Sequence, residues 1–166
     1  MDIHLEFERK WRLKTVPKVP FSRELAIRQG YLDQDGQWAR IRETRLPDGV
    51  FTHVLCRKIR KSVGPLEMET DISADAFLLL WPLCSKACVV KTRLEWTDTA
   101  GKLWEIDVYG GTLDGLITLE LEMDAPEDLV EFPPEIAACL DRELTGDSAW
   151  SNHNLARRGR PDADHG

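Results

Sequence analysis

Glu6 and Glu8 stand two residues apart and are followed by Lys10 in "LEFERKW". On an extended chain this spacing puts both carboxylates and the amine on one face, with Leu5, Phe7 and Trp11 on the other. The same parity recurs along the chain. Arg40 and Arg42 flank Ile41, and Lys58 shares a face with Val54 and Cys56. Glu67, Glu69 and Asp71 oppose Leu66, Met68, Thr70 and Ile72, while Lys91, Arg93 and Glu95 oppose Val90, Thr92, Leu94 and Trp96. Glu105 and Asp107 oppose Trp104, Ile106 and Val108; Glu120, Glu122 and Asp124 oppose Leu119, Leu121 and Met123.

Solvated strand faces ordinarily mix their polar residues, because like charges in register cost up to about 1 kcal/mol per pair. Here the charges are segregated by strand, and the opposite faces are apolar enough to need cover. Two carboxylates about 5 Å apart in a partly dry enclosure repel by roughly 3 kcal/mol at an effective dielectric near 20. A divalent cation removes that cost, and oxygen donors with little His or Cys suit Mg²⁺ or Mn²⁺. The basic rows pose the converse problem, which a polyanionic phosphate relieves. Charged rows turned inward would make one site for metal and phosphate together.

The elements that must hold these rows are short and punctuated by turns: "DQDG" at 33–36, "PDG" at 47–49, "SVGP" at 62–65, "DTAG" at 98–101 and "GGTLDG" at 110–115. Between them extended segments are expected near 3–11, 24–32, 37–46, 50–60, 66–73, 88–97, 102–109 and 115–124. The expectation is a β-dominated α+β fold: a closed eight-stranded antiparallel barrel, or tunnel, with a few flanking helices. One helix is expected over 73–83, capped by Ser73 and limited by Pro82, and a second over 133–144, opened by proline. A barrel of this size holds one small ligand. Two helices cover only part of the apolar outer rows, which suggests a homodimer.

The 166 residues are enough for one domain, expected over 1–156, with a disordered tail over 157–166. A net charge of −7 argues against nucleic acid as a partner. No run of 18 apolar residues argues for a membrane span. Cys56, Cys84, Cys88 and Cys139 have neither zinc nor disulfide-scaffold spacing, so reduced thiols and a cytoplasmic location are expected. His4, His53, His153 and His165 share no spacing and read as surface or packing residues.

"EFERK" resembles the E-x-E-x-K signature of the CYTH superfamily, the triphosphate tunnel metalloenzymes. "RQGYL", "ARIR", "CRK", "EMET", "KTRLEW", "WEIDVYGG", "ITLELEM" and "TGDSAWSNHNLA" resemble further segments of that family, in its order, across residues 3–156. The resemblance implies a tunnel that binds a triphosphate with metal. It places Glu6, Glu8, Glu120 and Glu122 as metal ligands, Glu67 and Glu69 at a second metal or its water, and Asp107 behind the metal site as an acceptor. It places Lys10, Arg40, Arg42, Lys58 and Arg93 on the phosphates. Lys91 and Tyr31 resemble a dyad proposed to activate water, a role that the metal alone could also fill. Glu95 and Asp124 are expected at the solvated mouth. Two departures remove positive charge near a tunnel end: Pro65 where the family often has Arg, and Ser148 to Trp150 where basic residues often follow the Asp.

The implied activity is metal-dependent hydrolysis of the terminal phosphoanhydride of inorganic triphosphate. The rivals are a class IV-type adenylyl cyclase, a thiamine or nucleoside triphosphatase, and a non-catalytic polyphosphate-binding module.

Overall fold

The computed structural model describes residues 1–163. Ten strands form: β1 (Asp2–Leu5), β2 (Phe7–Leu13), β3 (Arg23–Gln34), β4 (Gln37–Arg45), β5 (Phe51–Lys61), β6 (Gly64–Asp71), β7 (Cys88–Thr97), β8 (Leu103–Tyr109), β9 (Ile117–Met123) and β10 (Leu140–Glu143). Three helices accompany them: α1 (Ala74–Cys84), α2 (Pro134–Ala137) and α3 (Asn152–Arg158). None is long and apolar enough to cross a membrane.

All strands join one antiparallel sheet in the order β1-β6-β5-β4-β3-β7-β8-β9-β2-β10. The expected closed eight-stranded barrel does not form. The expected first strand divides at Glu6: β1 stays with β6, Glu6 N donating to Pro65 O (3.0 Å), while β2 pairs with β9. Closure would need β2 to pair along β6 with its free edge. That edge is taken instead by β10, where Leu140 faces Leu13, Arg142 faces Arg12 and Glu143 faces Trp11. The expected second helix is correspondingly cut short. Its first turn is α2, and residues 140–143 are extended because pairing with the open edge of β2 satisfies backbone groups on both.

β1 and β2 are separated in sequence by one residue, yet they occupy the first and ninth places in the ladder. The open sheet must therefore curl until its ends lie side by side, consistent with the right-handed twist of strands. Directly paired residues project to the same face, so the register assigns every row. Glu67 pairs with Lys58; Glu69 with Cys56, Arg40 and Tyr31 in succession; Arg42 with Gln29. Ile27 pairs with Lys91 and Tyr109, Arg93 with Asp107, Glu120 with Glu105 and Lys10, and Glu122 with Glu8. The charged rows all lie on one face, which the curl makes concave.

The convex face is covered in two places. α1 begins where Ser73 Oγ accepts from Ala76 N (3.1 Å), and it runs past Pro82 to lay Phe77 and Cys84 on Ile41. On the other half, Trp11, Trp104, Ile106 and Leu119 are buried beneath Ile136 and Cys139. Each such side chain contributes about 1.5–3 kcal/mol on burial. A third cluster closes one end of the concave space: Trp150 and Leu155 pack on Val89 and Tyr109. Arg157 and Arg158 belong to α3, and Asp162 pairs with Arg12 and Arg160. The last part of the expected disordered tail, 164–166 with His165, lies outside the described residues.

Candidate active site

The concave face encloses a cavity of about 290 Å³ lined by Glu8, Lys10, Tyr31, Trp38, Arg40 and Lys58, and bounded by the 144–153 segment. Period-two alternation delivers the charged side chains; curling brings rows from distant strands together. Lys58 of β5 contacts Glu6 at the β1–β2 bend, and it lies 3.0 Å from Glu67 of β6.

The carboxylates are not equivalent. Glu120 is opposed by burial, but Arg93 (2.5 Å), Lys10 (3.3 Å) and Lys91 hold it well below the usual carboxylate range. Glu67 behaves likewise: burial resists its charge, yet Lys58 and Arg40 lower its pKa to about 2. Glu6 goes the other way, since burial outweighs Lys58 and raises it. Glu69 is also raised by burial, with only a long contact to Arg40 (3.4 Å). Glu8 has no ion-pair partner within 4 Å among the described residues. Enclosure by protein, then Glu120 and Glu6, push it up to about 8 against the pull of Lys58 and Lys10. Its side chain is nevertheless exposed to water, which screens that rise. A carboxyl without an ion-pair partner beside two others is the demand a divalent cation meets, and Glu6, Glu8, Glu120 and Glu122 offer the oxygen donors a hard cation takes, although among the described residues their ligand atoms do not come within 4.8 Å of one another as a group. Glu122 stands at the exposed outer end of this row. Cys56, Glu67 and Glu69 do offer ligand atoms within 4.8 Å of one another, but Arg40 and Lys58 lie against those carboxylates.

The cations divide similarly. Arg93 is committed to Asp107, Glu105 and Glu120 at 2.5–2.8 Å. Arg40 has a buried Nε without a partner. Among the described residues the side chain of Arg42 hydrogen-bonds to Gln29 alone (3.0 Å); burial, then Arg40 and Arg93, lower it to about 10, so it stays charged at neutral pH. Arg42, and Arg40 with only long contacts to Glu69 (3.4 Å) and Glu67 (3.8 Å), are therefore the inward cations least answered by carboxylates among the described residues.

Asp107, fully buried, accepts from Lys91 Nζ (2.5 Å) and from Arg93 through both oxygens (2.8 Å each). With both oxygens engaged it is a bracket for two cations. Lys91 is lowered to about 8 by burial, with Arg93 and Arg42 adding to the effect against Asp107. Tyr31 bonds to Gln29 rather than to Lys91. Glu95, expected at the solvated mouth, is buried and lies 3.3 Å from Arg23.

Several site residues carry no signal in the charge pattern. Gln29, Trp38, Tyr109 and His153 are neutral or isolated in sequence. Tyr109 Oη donates to Asn152 Oδ1 (2.6 Å), tying α3 over the cavity. His153 stacks on Trp38 (4.9 Å, 14°), with Tyr31 edge-on to both. Their trace in the sequence is that "RQGYL", "WEIDVYGG" and "TGDSAWSNHNLA" stand out as segments holding Gln29, Tyr109 and His153; Trp38 lies in none of them.

No family model matches the chain. It is 29% identical over 151 residues to an inorganic triphosphatase of Nitrosomonas europaea, covering 91% of this chain and 96% of that protein. It is 27% identical over 158 residues to an inorganic triphosphatase of Acetivibrio thermocellus, covering 92% and 93%. A crystal structure of an inorganic triphosphatase shares the fold with a TM-score of 0.63 at 29% identity, covering 91% of this chain and 97% of that chain.

Proposed function

We propose that this chain hydrolyses inorganic triphosphate to phosphate and pyrophosphate with a divalent metal, Mg²⁺ or Mn²⁺. The observation that carries the reading is the gathering of under-compensated charges on one concave face: among the described residues Glu8 and Arg42 have no ion-pair partner, and Arg40 has only long contacts to Glu69 (3.4 Å) and Glu67 (3.8 Å). A triphosphate with its metal answers both. The named relatives and the shared fold support the same activity.

When bound by Glu6, Glu8, Glu120 and Glu122, the metal supplies neutralisation of the charge that develops on the bridging oxygens. Arg40 and Arg42 grip the phosphates as forked donors, and Lys10 and Lys58 add charge at either side. Asp107 holds Arg93 and Lys91 rigid so that the cationic wall does not reorganise during the reaction. Water adds to the terminal phosphorus, the bond to the bridging oxygen breaks with pyrophosphate as the leaving group, and orthophosphate forms as the water gives up a proton to the phosphate oxygens or to solvent.

The cavity is lined by Lys10, Arg40, Lys58 and Arg60, a cationic lining that suits a bare polyphosphate. Trp38 could face a cationic ring, but one of its faces is already occupied by His153. The test is release of phosphate and pyrophosphate from tripolyphosphate, ATP, thiamine triphosphate and pyrophosphate with either metal, cyclic AMP being measured in the ATP reaction. Tripolyphosphate is expected to turn over fastest, with no cyclic AMP. Glu8→Gln is expected to lower kcat/KM by about 100-fold or more, the scale of losing one electrostatic stabiliser. Tight tripolyphosphate binding without turnover would replace the hydrolase with a binding module.

A further inference from the structure

Gln29 is buried completely on the inner row of β3, two residues from Tyr31, and it makes two bonds whose directions are chemically constrained. Arg42 Nε lies 3.0 Å from its Oε1. A guanidinium can only donate, so the amide oxygen must face Arg42. The amide nitrogen is left against Tyr31 Oη at 2.8 Å, and an amide NH₂ can only donate. Tyr31 Oη is therefore the acceptor, and its own proton must point elsewhere. The charged groups that act most strongly on it are Arg40, Arg42 and Lys58, none of which can accept. Tyr31 Oη donates no hydrogen bond to any of the described residues, and Tyr31 lines the cavity.

We infer that Gln29 is a positioning residue that fixes Tyr31 as a hydrogen-bond donor to a phosphate oxygen of the bound substrate, not as a partner of Lys91 in activating water. The inference rests on the triphosphatase reading. Lys91 is held by Asp107, and burial raises the Tyr31 phenol, which keeps its proton in place at neutral pH.

Gln29→Glu keeps the shape and the bond from Arg42 but reverses the second one. A carboxylate accepts the Tyr31 O–H and draws that proton out of the cavity. Kinetics and tripolyphosphate binding are measured for wild type, Gln29→Glu, Tyr31→Phe and the double variant. Tyr31→Phe is expected to lower kcat/KM by about 10- to 100-fold, the range for a hydrogen bond to a charged acceptor. Gln29→Glu is expected to do the same in wild type and to cost less than about 3-fold in the Tyr31→Phe background. Equal losses in both backgrounds would mean that the new charge repels the substrate directly, and would overturn the inference. A second probe leaves the fold untouched: 3-fluorotyrosine at Tyr31 is a stronger donor and a weaker base. Tighter tripolyphosphate binding by calorimetry is expected, and weaker binding overturns the inference. A wild-type chain that neither binds nor hydrolyses tripolyphosphate would overturn the functional reading, and the inference with it. Turnover by wild type without coupling would overturn the inference alone.

Discussion

Asp107 shows at the scale of one residue why the position of a charge matters more than its sign. Its side chain and that of Lys91 are wholly inaccessible, and Arg93 retains 9%. Asp107→Asn would leave two buried cations sharing one neutral amide, and breaking a buried pair costs about 3–5 kcal/mol. Urea unfolding should show a loss of that size; a loss below about 1 kcal/mol would mean that the bracket is not structural. The Arg9–Glu143 pair makes the comparison. It is bidentate at 2.8–2.9 Å but half open to water, so Glu143→Gln is expected to cost less than about 1 kcal/mol.

Between elements, the contact of α1 with β3 is set by a missing side chain. A Cβ on Gly30 would stand 2.5 Å from Cys84 Sγ and 3.1 Å from Cys84 Cβ, so the end of the helix seats only on glycine. Gly30→Ala is expected to destabilise by about 1–3 kcal/mol through overpacking. Cys84→Ala removes the sulfur, and in the double variant should recover part of that loss, giving an interaction energy of at least about 0.5 kcal/mol in a double-mutant cycle. Additive losses would place the strain elsewhere. Gly30 separates Gln29 from Tyr31, so the same contact steadies the strand that carries both.

The whole molecule gathers like charges by curling its sheet, and its stability should report this. Glu8 is pushed up to about 8 from an ordinary 4.5 by burial and then by Glu120 and Glu6, a rise that water at its exposed side chain screens, so the folded chain binds its proton more tightly than the unfolded chain does. The stability this contributes is complete below pH 4.5 and is lost as pH rises through 8. In chelator-treated protein, Tm is expected to fall by a few degrees more between pH 6 and pH 9 in wild type than in Glu8→Gln. Mg²⁺ at pH 8 should raise Tm in wild type and much less in the variant, because a ligand stabilises only the state that binds it. Identical pH profiles for the two proteins, by differential scanning fluorimetry, would show that Glu8 is not under this electrostatic load.

The charged rows, their parity and their order were legible in the sequence because strand alternation is local: each residue two along projects to the same face. The capped start of α1 was legible for the same reason. Whether those faces turned inward, and how the sheet ended, were decided by contacts between residues far apart in the chain. β10 took the open edge of β2, leaving the ladder open where closure was expected and turning most of an expected helix into strand. The roles within the site were equally tertiary. Asp107 was drawn between Lys91 and Arg93, Glu95 was buried, and neutral Gln29 came to join Arg42 to Tyr31. The alternation of a strand determines which side chains share a face; only folding determines which of them meet, and therefore which charges are already answered and which still await a ligand.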